Sequence, residues 1–130
     1  MVSGSSDWAQ RTILDFADLI DVAWVCSRSR TEASDRVLQR VMAALGAPVR
    51  ELIHTDDLYM IHGLVEEGLG LALTTAVAMD SDFDVVLRPA VQDLGERHVI
   101  FAARAGRNPP AVEWLRDILR ARAAAARITA

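Results

Sequence analysis

His54 to Asp80, HTDDLYMIHGLVEEGLGLALTTAVAMD, decides the fold of this chain. It reads as a strand end, an amphipathic helix, a Gly-x-Gly turn, a second strand and a new turn. Leu58, Ile61, Leu64 and Val65 recur at helical spacing and predict one buried face. Gly68 and then Gly70 are expected to stop the helix, because a positive φ is cheap only at glycine. Leu69, Leu71, Ala72 and Leu73 form a short, nearly uninterrupted apolar run, the pattern of a strand covered on both faces. Strand, helix and strand in that order imply a parallel crossover in an open α/β sheet, and such sheets bind ligands beyond the carboxyl ends of their strands.

Outward from this stretch the alternation of strand and helix continues. Asp15 to Leu19 predicts a helical turn feeding a strand over Val22–Cys26. Ser27-Arg28-Ser29-Arg30 is the following loop, and Ser29 with Glu32 fits a capping box for a helix running to about Leu45. Ala33, Val37, Val41 and Leu45 are its expected sheet-facing residues, and Gly46 is its stop. Pro48 leaves an extended exit into a strand over Val49–Thr55. Thr55 or Asp56 is expected to cap the next helix, with Asp57 in its first turn, where a carboxylate suits the positive end of the dipole. After a strand over Leu71–Thr74, Ala76 to Met79 predicts a single helical turn, and Asp80, Ser81, Asp82 and Asp84 an acidic loop. Strands are expected over Phe83–Leu87 and His98–Ala103. Pro109-Pro110 opens a last helix with the stripe Val112, Leu115, Ile118 and Leu119. Trp8, Trp24 and Trp114 read as packing residues, Trp114 against a sheet edge or a partner.

Composition bounds the function. A chain of 130 residues, 52% hydrophobic and 25% charged, is one globular domain by length. The net charge is −4 and the pI about 5.3, so the surface as a whole does not attract nucleic acid. All 14 basic residues are arginine, which with the abundant alanine suggests a GC-rich bacterial gene. Arg28 with Arg30, and Arg116, Arg120, Arg122 and Arg127, are the local concentrations; the second group reads as a solvated helix face. A single cysteine, Cys26, forms no internal disulfide and fits a reducing compartment. No apolar run approaches the roughly 20 residues of a membrane span, and MVSGSSDWAQR lacks the apolar core of a signal peptide. A cytoplasmic protein without membrane contact is expected, with a flexible segment over residues 1–12.

Three strand-to-helix junctions carry the candidate site. Ser27, Arg28 and Ser29 combine N–H groups, two hydroxyls and a guanidinium that together hold a carboxylate or phosphate, or else form an ordinary capped loop. Thr55 at the second junction is a candidate ligand contact, whereas Asp57 reads as a cap. Thr74 and Thr75 end the third strand at the same edge. Other chemistries fit poorly. His54, Asp56, Asp57 and His62 lack a metal-ligand spacing, and no metal or cofactor is expected. Cys26 ends an apolar strand without an identifiable base, so no catalytic nucleophile is expected. Gly68 and Gly70 follow a helix instead of opening one, the wrong context for a phosphate loop.

The segments LVEEG and LGLAL, residues 64–68 and 69–73, resemble the effector-binding domain of LysR-type transcriptional regulators, in which a helix ends in Val-x-x-Gly-x-Gly before an apolar strand. ILDFADLIDVAWV (residues 13–25), VMAALGAPVRELIHTDD (41–57), VVLRPA (85–90) and RHVIFAARAGRNPPAVEWL (97–115) resemble other parts of that domain in the same order. The resemblance spans about Ile13 to Arg122 and implies an α/β fold, with a mostly parallel mixed sheet flanked by helices, like one lobe of a type II periplasmic binding protein. Residues 13–130 would then be the second subdomain plus the C-terminal strand and helix. It further implies reversible binding of a small anionic, carboxylate-bearing effector, with Ser27, Arg28, Ser29, Thr55 and Thr74 as contacts. DNA would be reached only through a winged helix-turn-helix that this sequence does not contain. Uncovered sheet edges and the last helix offer a second reading, a self-association module forming a homodimer, in the extreme by exchange of the C-terminal strand and helix. A small enzyme is the third reading, and the sequence offers it no paired acid and base.

Overall fold

The computed structural model describes residues 1–29, 31–106 and 108–125; Arg30 and Arg127 of the arginine groups lie outside them. Along the chain run β1 (Val2–Ser3), β2 (Ala23–Cys26), α1 (Ala33–Ala44), β3 (Arg50–His54), α2 (Leu58–Glu66), β4 (Val85–Val86) and α3 (Pro110–Ala125). Single 3-10 turns occupy Asp7–Gln10, Phe16–Leu19 and Ala76–Ala78. The chain divides into two compact units, Met1–Glu96 and Arg97–Ala130.

The first unit is built around β2. On one edge β2 pairs in parallel with β3; on the other, a parallel bridge joins Trp24 to Leu71. Val25 N–H donates to the Leu71 carbonyl and Leu71 N–H to the Ala23 carbonyl, both at 2.8 Å. The strand–helix–strand crossover expected from the sequence is therefore present, but the predicted strand Leu71–Thr74 reduces to its first residue. Alternate side chains of β2 enter two layers. Trp24 and Cys26 pack with Leu38, Val41 and Met42 of α1 and with Phe16 and Leu19. Val25 packs with Val65 of α2, Met1 and Ala72. Burial on both faces is what an almost wholly apolar strand requires.

Pairing is mixed, parallel at β2–β3 and at the Trp24–Leu71 bridge and antiparallel at β1–β4. Val2 and Ser3 pair antiparallel with Val86 and Val85, and Leu14 bridges Ala90 in parallel. Near the N-terminus Met1 and Val2 are buried, the Met1 amine donates to the Ala72 carbonyl at 2.8 Å, and Ser3 Oγ donates to the Glu66 carbonyl at 2.8 Å. The expected strand over Phe83–Leu87 shortens to β4, the length that two-residue β1 can pair.

Helix ends follow their glycines, with one difference of role. Gly46 (φ +72°) and Gly68 (φ +69°) each follow a helix in the left-handed conformation. After α2, Gly68 N–H reaches the Val65 carbonyl and Leu69 N–H the Leu64 carbonyl, the double closure of a Schellman motif. Gly70 is not part of that stop. A Cβ there would lie 3.0 Å from the Ala23 carbonyl oxygen, so its glycine permits the close approach to β2.

The faces of the helices also shift. Asp35, Leu38, Val41 and Met42 are the buried residues of α1, whereas Ala33 is exposed and Val37 and Leu45 only border the core. Glu32 occupies the N-cap position without a side-chain hydrogen bond, and Ser29 Oγ instead accepts from Thr31 Oγ1 at 3.1 Å, so the predicted capping box is not formed. With the helix starting at Ala33, Ser29 lies too far upstream to reach its first N–H groups. In α2 the buried residues are His62 and Val65; Ile61 and Leu64 are half-buried and Leu58 is exposed.

In the second unit α3 begins at Pro110 as expected, with Arg116 paired to Glu113 and Asp117 along its surface. His98–Ala103 forms no ladder among the described residues. A strand exists only with a neighbour, and local sequence cannot supply one. Val99 and Ile100 are 84% and 82% exposed, and Trp114, read from the sequence as a packing residue, is 69% exposed.

Candidate functional site

The parallel register of β2 and β3 sets Cys26 beside His54, so both strands release their chains at one edge of the sheet. There Thr55 N–H donates to the Cys26 carbonyl at 2.9 Å, extending the ladder by one bond. Arg28 N–H donates to Asp56 Oδ1 at 2.9 Å and ties the two junction loops together. The parallel bridge at Trp24–Leu71 runs the third segment in the same direction, toward Thr74. Polar residues thus collect where strand carbonyls and helix N-termini meet, the position at which open α/β sheets take ligands.

Each candidate contact has a distinct setting. Thr55 is buried, 4% exposed, and its Oγ1 accepts from Asp57 N–H at 3.2 Å. That bond shapes the loop before α2, whose N-cap is Asp57: its carboxylate accepts from Met60 N–H at 3.1 Å. The reading of Asp57 as a cap holds and that of Thr55 or Asp56 does not; Asp56 is spent on Arg28. Ser27 is half-buried, and Arg28 and Ser29 are exposed. Thr74 is half-buried, and no hydrogen bond links it to the other four. The structure therefore joins Ser27, Arg28 and Thr55 into one bonded edge and leaves Ser29 and Thr74 at its margins.

Two further residues shape this region. Asp35, in the first turn of α1 and 6% exposed, accepts at Oδ2 both Ser27 N–H, at 2.9 Å, and the Ser27 hydroxyl. A polar residue on the buried face of an amphipathic helix is the trace it leaves in the sequence. His62, 2% exposed, is the second: Nδ1 donates to the Leu58 carbonyl at 2.7 Å, so Nε2 is the acceptor for Asp80 N–H at 3.3 Å. This imidazole fastens the Asp80–Asp84 loop to α2 and is structural.

The first unit also holds a partly open cavity of about 20 Å³ lined by Leu14, Phe16, Leu73, Leu94, Trp24 and Arg88. Its size suits one water molecule and no organic ligand. Among the described residues Trp24 Nε1 and Arg88 Nε are buried without partners, while the rest of the Arg88 guanidinium donates to the Leu87 and Ala9 carbonyls at 3.0 and 2.6 Å. Among the described residues no group of three or more His, Cys, Asp and Glu side chains is placed to hold a metal ion. No helix among them is long and apolar enough to cross a membrane.

No curated protein and no solved structure matches the chain. Residues 1–124 match the LysR substrate binding domain. The match runs from β1 into the last turn of α3 and includes the edge formed by Ser27, Arg28 and Thr55. The chain belongs to the LysR substrate binding domain family, an effector-binding, type II periplasmic-binding-like α/β fold found in transcription regulators.

Proposed function

We propose that this chain reversibly binds a small, carboxylate-bearing effector at the edge defined by Ser27, Arg28, Ser29, Thr55 and Thr74, and that it serves a bacterial, cytoplasmic LysR-type regulator without catalysing a reaction. The observation carrying this reading is the parallel register that brings the β2 and β3 junctions to one edge, with the Thr55–Cys26 and Arg28–Asp56 bonds holding them together. Arg28 supplies the cation, and Ser29 and Thr74 supply hydroxyls at the margin. Residues 13–130 serve as the second subdomain with the C-terminal strand and helix, and β2, β3 and Leu71 are the parallel centre of a larger sheet. Effector bound between this edge and a facing lobe favours the closed state by its differential affinity. On this reading DNA contact belongs to a winged helix-turn-helix and not to this domain.

Calorimetry with small aliphatic and aromatic carboxylates tests the reading. A saturable site that loses about tenfold in affinity in Arg28→Ala and in Ser29→Ala, on the scale of one charge-assisted hydrogen bond, is the expected result. Unchanged affinity in both variants removes those residues from the site.

The exposed Val99, Ile100 and Trp114 favour a second activity beside the first, assembly into a homodimer, including exchange of the C-terminal segment between copies. Sedimentation equilibrium should then give a mass that rises with concentration. A monomer at high micromolar concentration excludes it.

A further inference from the structure

The seat that a ligand carboxylate would take at Ser27 already holds a carboxylate. Ser27 N–H and its hydroxyl converge on a single oxygen, Asp35 Oδ2, a pairing of backbone and side-chain donors suited to an anion. Asp35 is fixed in the first turn of α1 and 94% of its surface is covered, so it is a permanent neighbour of Ser27 and not a visiting surface charge.

We propose that Asp35 is an internal competitor that sets the affinity and ligand class of this edge: a carboxylate reaches the Ser27 donors only by displacing Asp35. The inference rests on the effector reading above. Two physical terms favour the competitor. Asp35 is tethered, so its effective concentration at Ser27 is that of an intramolecular group. Its charge also repels an incoming anion across a partly desolvated gap, where screening is weak. The wild-type edge is therefore tuned against simple carboxylates. It favours effectors that can direct their anionic group to Arg28 and leave Ser27 to Asp35.

The test compares sodium benzoate with neutral benzamide, by calorimetry and by the backbone amide resonance of Ser27, in the full chain. Asp35→Asn keeps an acceptor for Ser27 and removes the charge; Asp35→Ala removes both. Circular dichroism and thermal melts establish that each variant is folded, and either folded variant suffices. Benzoate affinity is expected to rise about tenfold or more over wild type, with a new shift at the Ser27 amide, while benzamide affinity stays unchanged. Equal benzoate affinity in wild type and variants overturns the competitor and leaves the effector reading standing. An equal gain for benzamide overturns it too, because the change would then be one of space and not of charge. Absence of benzoate binding in every folded protein removes both the competitor and the carboxylate reading.

Discussion

Asp15 and Gln92, 77 residues apart in sequence, are clasped side chain to side chain: Gln92 Nε2 donates to Asp15 Oδ1 at 2.7 Å, and Gln92 Oε1 accepts Phe16 N–H at 3.0 Å. The clasp sits beside the Leu14–Ala90 bridge, where Leu14 N–H meets the Pro89 carbonyl and Val91 N–H the Leu14 carbonyl. It thus secures the segment entering β2 against the segment leaving β4. Gln92→Ala strands the Phe16 N–H and should cost about 1 kcal/mol, lowering the melting temperature by roughly 4–8 °C for a unit of this size. The hydrogen bond from Gln92, then that from Ala17 N–H, hold the Asp15 carboxyl below its ordinary value, against a smaller effect of desolvation. A depressed carboxyl stabilises the fold above the ordinary carboxylate range and loses that contribution as pH falls through its folded value. Asp15→Asn should therefore flatten the acid limb of stability below about pH 4. An acid limb identical to that of wild type would show that the clasp does not couple to folding.

The Met1 amine gives a pH dependence of different origin. Burial pushes its pKa down from 8.0 to about 5. Between these values the unfolded chain carries the proton and the folded chain does not, so stability rises from pH 5 to pH 8. The displacement corresponds to an upper bound on the order of 4 kcal/mol, since β1 can peel from β4 and return the amine to water at lower cost. Denaturant midpoints should increase across this interval. Acetylation of the amine removes the proton but keeps an N–H for the Ala72 carbonyl, and should abolish the slope. A slope that survives acetylation assigns it to another group.

The order of elements was legible wherever the signal was local. Gly68 after an apolar helix, the helical turn ending at Leu19 and Pro110 at the start of α3 each rest on a few residues, and each appears where expected. Register was not legible. The skip between Trp24 and Val25 leaves Leu52 unpaired on β3, and together with the exposure of Leu52 and Ile53 it breaks any alternation the sequence offers. Val2 and Ser3 are too few residues to announce a strand, and only Val85 and Val86 give them one. At the site, the junction at Ser27, Arg28 and Thr55 was readable because strand ends can be found from apolar runs. Asp35 was hidden because its role depends on the distance between a helix face and a preceding loop, and neither is local.

The two glycines of the Gly-x-Gly turn should separate by substitution. Gly68→Ala places a Cβ in the left-handed region with open space around it, for a cost of about 1–2 kcal/mol. Asparagine visits this conformation readily, so Gly68→Asn should recover part of that loss. Gly70→Ala sets a Cβ 3.0 Å from the Ala23 carbonyl oxygen, a backbone atom held in the β2 ladder, and should cost about 1–3 kcal/mol. Asparagine at this position is larger and gives no relief, so Gly70→Asn should be worse than Gly70→Ala. Chemical denaturation of the four variants reads this directly. An order in which asparagine rescues both positions, or neither, would show that conformation and close approach are not divided between them in this way.

His62 should prove the most costly single side chain of α2 to remove. Its ring lies 5.2 Å from that of Phe83, its Nδ1–H satisfies the Leu58 carbonyl, and its Nε2 holds Asp80 N–H. His62→Ala opens a cavity in a fully covered position and leaves Asp80 N–H without its acceptor, at a combined cost of about 2–4 kcal/mol. His62→Phe refills the volume and keeps the aromatic contact but cannot accept. It should recover most of the global stability, while amide exchange at Asp80 stays fast in both variants. Hydrogen exchange at Asp80 therefore distinguishes packing from hydrogen bonding. Slow exchange in His62→Phe would mean that the loop is held by Phe83 and the Tyr59 ring tilted against it at 5.9 Å, and that the imidazole serves as core volume alone.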